Sequence, residues 1–115
     1  MLSIRETNIL EKIIEHSNRI TEKIINKTIE QFTKNLDLIE IICFNILQIG
    51  ELVAHLSNEF LKTYDKVPWS QVTGMRNIVV HRYGTVKLNR IYKTAINDVP
   101  VLLAYCKKIL LENSK

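Results

Sequence analysis

Apolar residues recur along this chain at steps of three, four and seven, the repeat of amphipathic helices rather than the alternation of strands. Leu10, Ile13, Ile14, Ile20, Ile24 and Ile25 form one stripe on a long first helix. Ser3-Ile4-Arg5-Glu6 ahead of it reads as a capping box, in which the Ser3 hydroxyl accepts from the Glu6 amide and Glu6 reaches back. The stripe fades at Asn26-Lys27, and Thr28 is placed to cap a short second helix carrying Ile29 and Phe32. From Leu36 to about Leu61 apolar residues cover more than one face, which predicts a central helix with neighbours on several sides. Gly50 interrupts that helix. A glycine inside a helix costs about 1 kcal/mol against alanine, so the expectation is that another helix packs closely there. Thr63 to Lys66 reads as a loop, and Pro68-Trp69 opens a helix that runs through Val72, Met75, Ile78 and Val79 and ends between His81 and Gly84. A last helix spans about Lys87 to Leu111, with Pro100 predicting a kink or short break between Asn97 and Val99.

These elements add up to an all-α protein: a compact up-down bundle of four main helices plus a short one, in a single domain over residues 1–115. Composition agrees, since 3 Gly and 2 Pro are too few for the turns of an all-β fold. Apolar residues at 46% suffice for a core. The net charge of +4 is compatible with a polyanionic partner without demanding one. Cys43 and Cys106 sit far apart in apolar helical surroundings and are expected to be buried, reduced thiols. No apolar run approaches the roughly 18 residues of a membrane span, and the start has no signal-peptide pattern, so the cytoplasm is the expected location.

Chemistry that needs clustered ligands is not suggested: there is no His-Glu-x-x-His, no paired cysteines, no carboxylate cluster and no phosphate-cradling glycine loop. No metal and no cofactor is therefore expected. The run Arg76-Asn77-Ile78-Val79-Val80-His81-Arg82-Tyr83 stands out instead. At about 100° per residue, Asn77 lies near 100° and His81 near 140° from Arg76 on a helix, so with Tyr83 they share a polar arc near the helix end. Such a set suits cleavage of a phosphodiester without metal. Arg76 can hold a phosphate in its fork and stabilise charge on a pentacoordinate transition state. Histidine titrates near neutrality, so His81 can move a proton from a ribose 2′-hydroxyl or to the leaving oxygen. Asn77 can support either. Arginine and histidine at a helix end also commonly do no more than cap carbonyls, and the spacing alone does not decide between these uses.

At these residues the chain resembles the HepT-like branch of the HEPN domains. Asn45-Ile46-Leu47-Gln48-Ile49-Gly50-Glu51 is similar to one family block, Val67-Pro68-Trp69 with Gly74-Met75-Arg76-Asn77 to a second, His81-Arg82-Tyr83 completes the family's Arg-x4-His-x-Tyr, and Ile96-Asn97-Asp98-Val99-Pro100 resembles a block of the last helix. The resemblance departs just after Tyr83, where Gly84-Thr85-Val86-Lys87 replaces the frequent aromatic, with Thr85 a possible cap of the last helix. It implies a HEPN-like bundle forming homodimers with the two motifs juxtaposed, and a metal-independent endoribonuclease acting on RNA with Arg76 and His81 as catalytic residues. It also implies the toxin half of a type VII toxin–antitoxin pair, whose partner is an MntA-type nucleotidyltransferase antitoxin that transfers AMP to the motif tyrosine, here Tyr83. The alternative is a non-catalytic helical partner of such a nucleotidyltransferase.

The remaining candidates read as follows. Glu51 is placed either to pair with Arg76 or to face solvent. His16 and His55 read as surface or rim residues, Trp69 as a core or dimer anchor, and Tyr64, Tyr92 and Tyr105 as packing residues.

Overall fold

The computed structural model describes residues 2–80 and 85–114, the side chains of residues 80, 85 and 86 apart. All regular structure among the described residues is helical: α1 (Ile4–Ile24), α2 (Ile29–Thr33), α3 (Leu36–Ala54), α4 (Asn58–Thr63), α5 (Trp69–Val80), α6 (Thr85–Lys93), a π-helical turn (Thr94–Asp98) and α7 (Val99–Glu112). The starts of the first two helices follow from their caps. Ser3 Oγ accepts from the Glu6 amide while Glu6 Oε1 accepts from the Ser3 amide, both at 3.0 Å. Thr28 and Gln31 repeat this reciprocal arrangement for α2. Asn35 Oδ1 caps α3 by accepting from the Leu38 amide.

The central helix is shorter than the apolar pattern predicts. It stops at Ala54, and Ser57 Oγ accepts from the Phe60 amide to start a separate helix, α4. A serine cap outcompetes continuation because it satisfies a backbone donor that a new helix would otherwise leave open. The bundle therefore has two short helices where one is expected. The predicted break near Pro100 takes the form of the π turn: the Val99 amide donates to Thr94 O, five residues back, and Pro100 falls in the first turn of α7, where its missing donor is not needed.

Helix α3 packs against both α1 and α5, and α1 also packs against α7. The layer order α5–α3–α1–α7 explains why apolar residues cover several faces of α3. One connected core holds Leu10, Ile13 and Ile20 of α1, Ile42, Ile46 and Ile49 of α3, Val72 and Met75 of α5, and Leu102 and Cys106 of α7. No helix among the described residues is long and apolar enough to cross a membrane.

Candidate functional site

The site is built on α5, and α5 is fixed at its start by Trp69. The Trp69 indole is buried, its Nε1 donates to Tyr64 O at 2.8 Å, and its rings lie 6.1 Å from those of Phe60. Pro68 O accepts from the Gln71 and Val72 amides, so the proline stands just before the first helical residue rather than within the turn. Val72 and Met75 then bury one side of α5. No acidic residue lies on this helix.

Arg76 leaves α5 on the side facing α3. Its Nη1 donates to Glu51 Oε1 at 2.9 Å, so of the two uses open to Glu51 the pair is the one formed. The two side chains are 42% and 50% exposed. At that exposure the pair adds at most about 1 kcal/mol to stability, so its main consequence is the direction in which it holds the guanidinium. One nitrogen edge is engaged by Glu51, and a guanidinium has further donors for a phosphate.

Gly50 explains how Arg76 reaches this place. A Cβ built on Gly50 would lie 2.9 Å from Arg76 Cβ and 3.6 Å from Arg76 Cγ. The two helices thus cross where one of them has no side chain, as the interruption of the central helix predicts. Gly50 and Glu51 together bring the backbone of Arg76 close and then orient its head.

Asn77 is exposed on the next position of the helix, beside a hollow that it lines with Gly74, Ile78, Lys87 and Arg90. Arg76 and Asn77 therefore stand side by side on α5, the first partly open to solvent and the second exposed. His81 and Tyr83, with Arg82, lie outside the described residues, and so does the side chain of Thr85.

Two residues that sequence reasoning set aside or left without a role are joined. His16 is half-buried, at the rim, and its Nδ1 lies 2.7 Å from Oδ1 of buried Asn45. Asn45 Nδ2 donates to Ile41 O at 2.8 Å, which leaves Oδ1 as the acceptor and places a proton on His16 Nδ1. This clamp ties α1 to α3; the polar Asn45 inside an otherwise apolar run was its one available signal. His55 is exposed, as expected. Tyr92 donates to Lys27 O and stacks near Phe32, while Tyr64 packs on Phe60.

Neither cysteine is disulfide-bonded, and both are buried. Burial pushes the Cys106 thiol up to about 12, and burial with the nearby Glu40 charge pushes Cys43 to about 11. Thiols held so firmly protonated are poor nucleophiles. Among the described residues no group of three or more His, Cys, Asp or Glu side chains is arranged to hold a metal ion.

Comparison with known proteins places these elements in a family. The model of the ribonuclease HepT-like family matches residues 10–109. A candidate RNase of Caldanaerobacter subterraneus subsp. tengcongensis is 32% identical over 88% of this chain and 90% of its own length. A candidate RNase of Methanocaldococcus jannaschii is 29% identical over 76% of this chain and 81% of its own length. A probable ribonuclease HepT of Thermococcus cleftensis is 27% identical over 70% of this chain and 82% of its own length. No solved structure is a significant match.

Proposed function

We infer that this chain, which belongs to the ribonuclease HepT-like family, is an endoribonuclease that cuts RNA without a metal ion, as the toxin of a toxin–antitoxin pair of type VII. The observation that carries the reading is Arg76: a cation on a helix without carboxylates, set in place by a glycine and aimed by a single glutamate, with donors left for a phosphate. In the proposed reaction a ribose 2′-oxygen attacks the adjacent phosphorus. Its proton passes to a base, the P–O5′ bond breaks, and the leaving 5′-oxygen takes up a proton. The ends are a 2′,3′-cyclic phosphate and a 5′-hydroxyl. Arg76 stabilises the non-bridging oxygens, His81 handles the protons and Asn77 supports them.

One arginine and one histidine make a thin site, and a homodimer with two motifs facing each other would double it. The surface of α3 supports such a dimer. Phe44 is 56% exposed and Ile41 37% exposed, and Phe44 shares one line of the helix with Glu51, seven residues on. An apolar strip beside the Arg76–Glu51 pair suits a second copy of the chain. Silencing is proposed to come from an MntA-type nucleotidyltransferase that adds AMP to Tyr83. The added negative charge and bulk would repel and obstruct an RNA phosphate. The cytoplasm is the proposed site of action.

The test is cleavage of total RNA by the purified chain in EDTA, with end-group mapping. Cyclic phosphate ends are expected, and Arg76→Ala and His81→Ala are each expected to lose cleavage. Undiminished cutting by the double variant would refute the assignment. A clean preparation that never cuts RNA yet binds a nucleotidyltransferase tightly would favour the non-catalytic reading.

A further inference from the structure

The positive charge of this protein is not spread evenly. Residues 66–97 hold six basic and no acidic residues, whereas the rest of the chain holds ten basic and twelve acidic. The tract is bounded by Asp65 and Asp98, and it contains both α5 and α6. A net charge of +4 thus conceals one strongly basic tract in an otherwise slightly acidic chain.

The fold turns that tract into a groove. Between α5 and α6 lie two hollows of about 380 and 390 Å³ that share Gly74, Ile78 and Arg90 in their walls, so they adjoin. Asn77 and Lys87 line one end, and Lys93 with Asp98 the other. Lys87, Arg90 and Lys93 follow at three-residue intervals on one edge of α6. Among the described residues neither Arg90 nor Lys93 has a carboxylate within ion-pair distance. The opposite wall is low, because a Cβ at Gly74 would meet nothing within 4 Å. Around α5 the order runs from half-buried Arg76, on the α3 side, across exposed Asn77 to half-buried Gly74 at the groove.

We propose that this α5–α6 groove is the track for the single-stranded RNA backbone, with Arg90 and Lys93 neutralising phosphates and Asn77 guiding the strand over α5 to Arg76. The proposal rests on the endoribonuclease reading above. Adjoining open hollows with regularly spaced cations and no acid until their far end match a chain of phosphates, and phosphate contacts set position without reading sequence. An acidic protein surface is the competing occupant, and the experiment separates the two.

The probe is a fluorescein-labelled 2′-O-methyl oligoribonucleotide, which binds but lacks the attacking hydroxyl. Its affinity is measured against KCl concentration for the parent chain, for Arg90→Glu/Lys93→Glu, and for Lys107→Glu/Lys108→Glu, an equal charge change on α7. The neutral pair Arg90→Gln/Lys93→Gln guards against repulsion or misfolding as the cause. Both groove variants are expected to bind about tenfold or more weakly, with a log–log salt slope shallower by roughly 1.4, about 0.7 for each phosphate no longer neutralised. The α7 variant is expected to keep the parent slope. Parent-like binding by the groove variants overturns the proposal, as does an equal loss in the α7 variant. Retained RNA binding with loss of a nucleotidyltransferase partner would reassign the groove to protein and also overturn it. Cleavage that survives Arg76→Ala refutes the catalytic assignment instead, and leaves the binding result standing.

Discussion

Alanine at position 50 would place a methyl group 2.9 Å from Arg76 Cβ. Carbon atoms in good contact sit about 3.5–4.0 Å apart, so α3 and α5 must separate locally by roughly 0.6–1 Å. Rotating the arginine does not relieve the clash, because Cβ is fixed to the backbone. Overpacking of this kind costs about 1–3 kcal/mol, and the better helix propensity of alanine returns about 1 kcal/mol. The net loss is therefore about 0–2 kcal/mol, a modest fall in Tm that leaves the protein folded. The effect on catalysis is expected to be larger than the effect on stability. A misplacement on the order of 1 Å can cost about a hundredfold in rate, so single-turnover cleavage is predicted to fall about 10–100-fold. Gly74→Ala is the stability control: its methyl group meets nothing within 4 Å, so it is expected to raise stability by up to about 1 kcal/mol. Thermal melts and single-turnover cleavage of a labelled RNA check both variants. A Gly50→Ala protein that melts higher than its parent and cuts as fast would refute the reasoning that this glycine serves Arg76.

Glu51→Gln removes the charge but keeps an acceptor; stability is expected to change by less than about 1 kcal/mol, while cleavage slows about tenfold with little change in KM because the guanidinium loses its anchor. Equal rates for parent and variant would show that the 2.9 Å pair is incidental to the chemistry. The two thiols predict a loss of stability in alkali. Their pKa values are raised in the folded state from the ordinary 9.0 to about 11 and about 12, so the stability they lend is full below pH 9.0 and disappears as pH climbs through those values. Denaturant titrations across that range, compared with a Cys43→Ala/Cys106→Ala variant, measure it; identical pH dependence in the two proteins would count against it.

Much of this fold is written in local rules. The Ser3 capping box, the Thr28 cap and the stripe of α1 depend on residues within a turn or two of one another, and they are legible for that reason. The close approach at Gly50 is also legible, since a glycine inside an apolar helix needs a reason. The end of α3 is not. Its apolar repeat continues through Leu56 to Leu61, and only the cap at Ser57 says that the chain turns. The His16–Asn45 clamp is hidden for a different cause: its members are 29 residues apart, and a histidine on an amphipathic helix looks alike whether it meets water or an amide. At the candidate site Arg76 and Asn77 stand where helical geometry puts them. The choice between a paired and a solvent-facing Glu51 is a tertiary matter that periodicity cannot make.

The π turn at 94–98 bears on which changes in chain length this protein could survive. Loss of a residue inside a helix ordinarily swings everything beyond it by about 100° and turns a buried edge outward. Here the turn already holds one residue more than an α-helix needs, so that Val99 rather than Asp98 closes beneath Thr94. Wound as regular α-helix with all its residues, the same segment would bring Asp98 round to the side of buried Ile91, seven positions back, and a carboxylate would meet the core. Dropping one residue from the turn would instead regularise the helix and keep Val99 facing inward. The middle of the longest C-terminal element is thus a place where a single-residue deletion is structurally forgivable, and where its insertion-like surplus sets the boundary between the half of the helix that faces the groove and the half that seals the bundle.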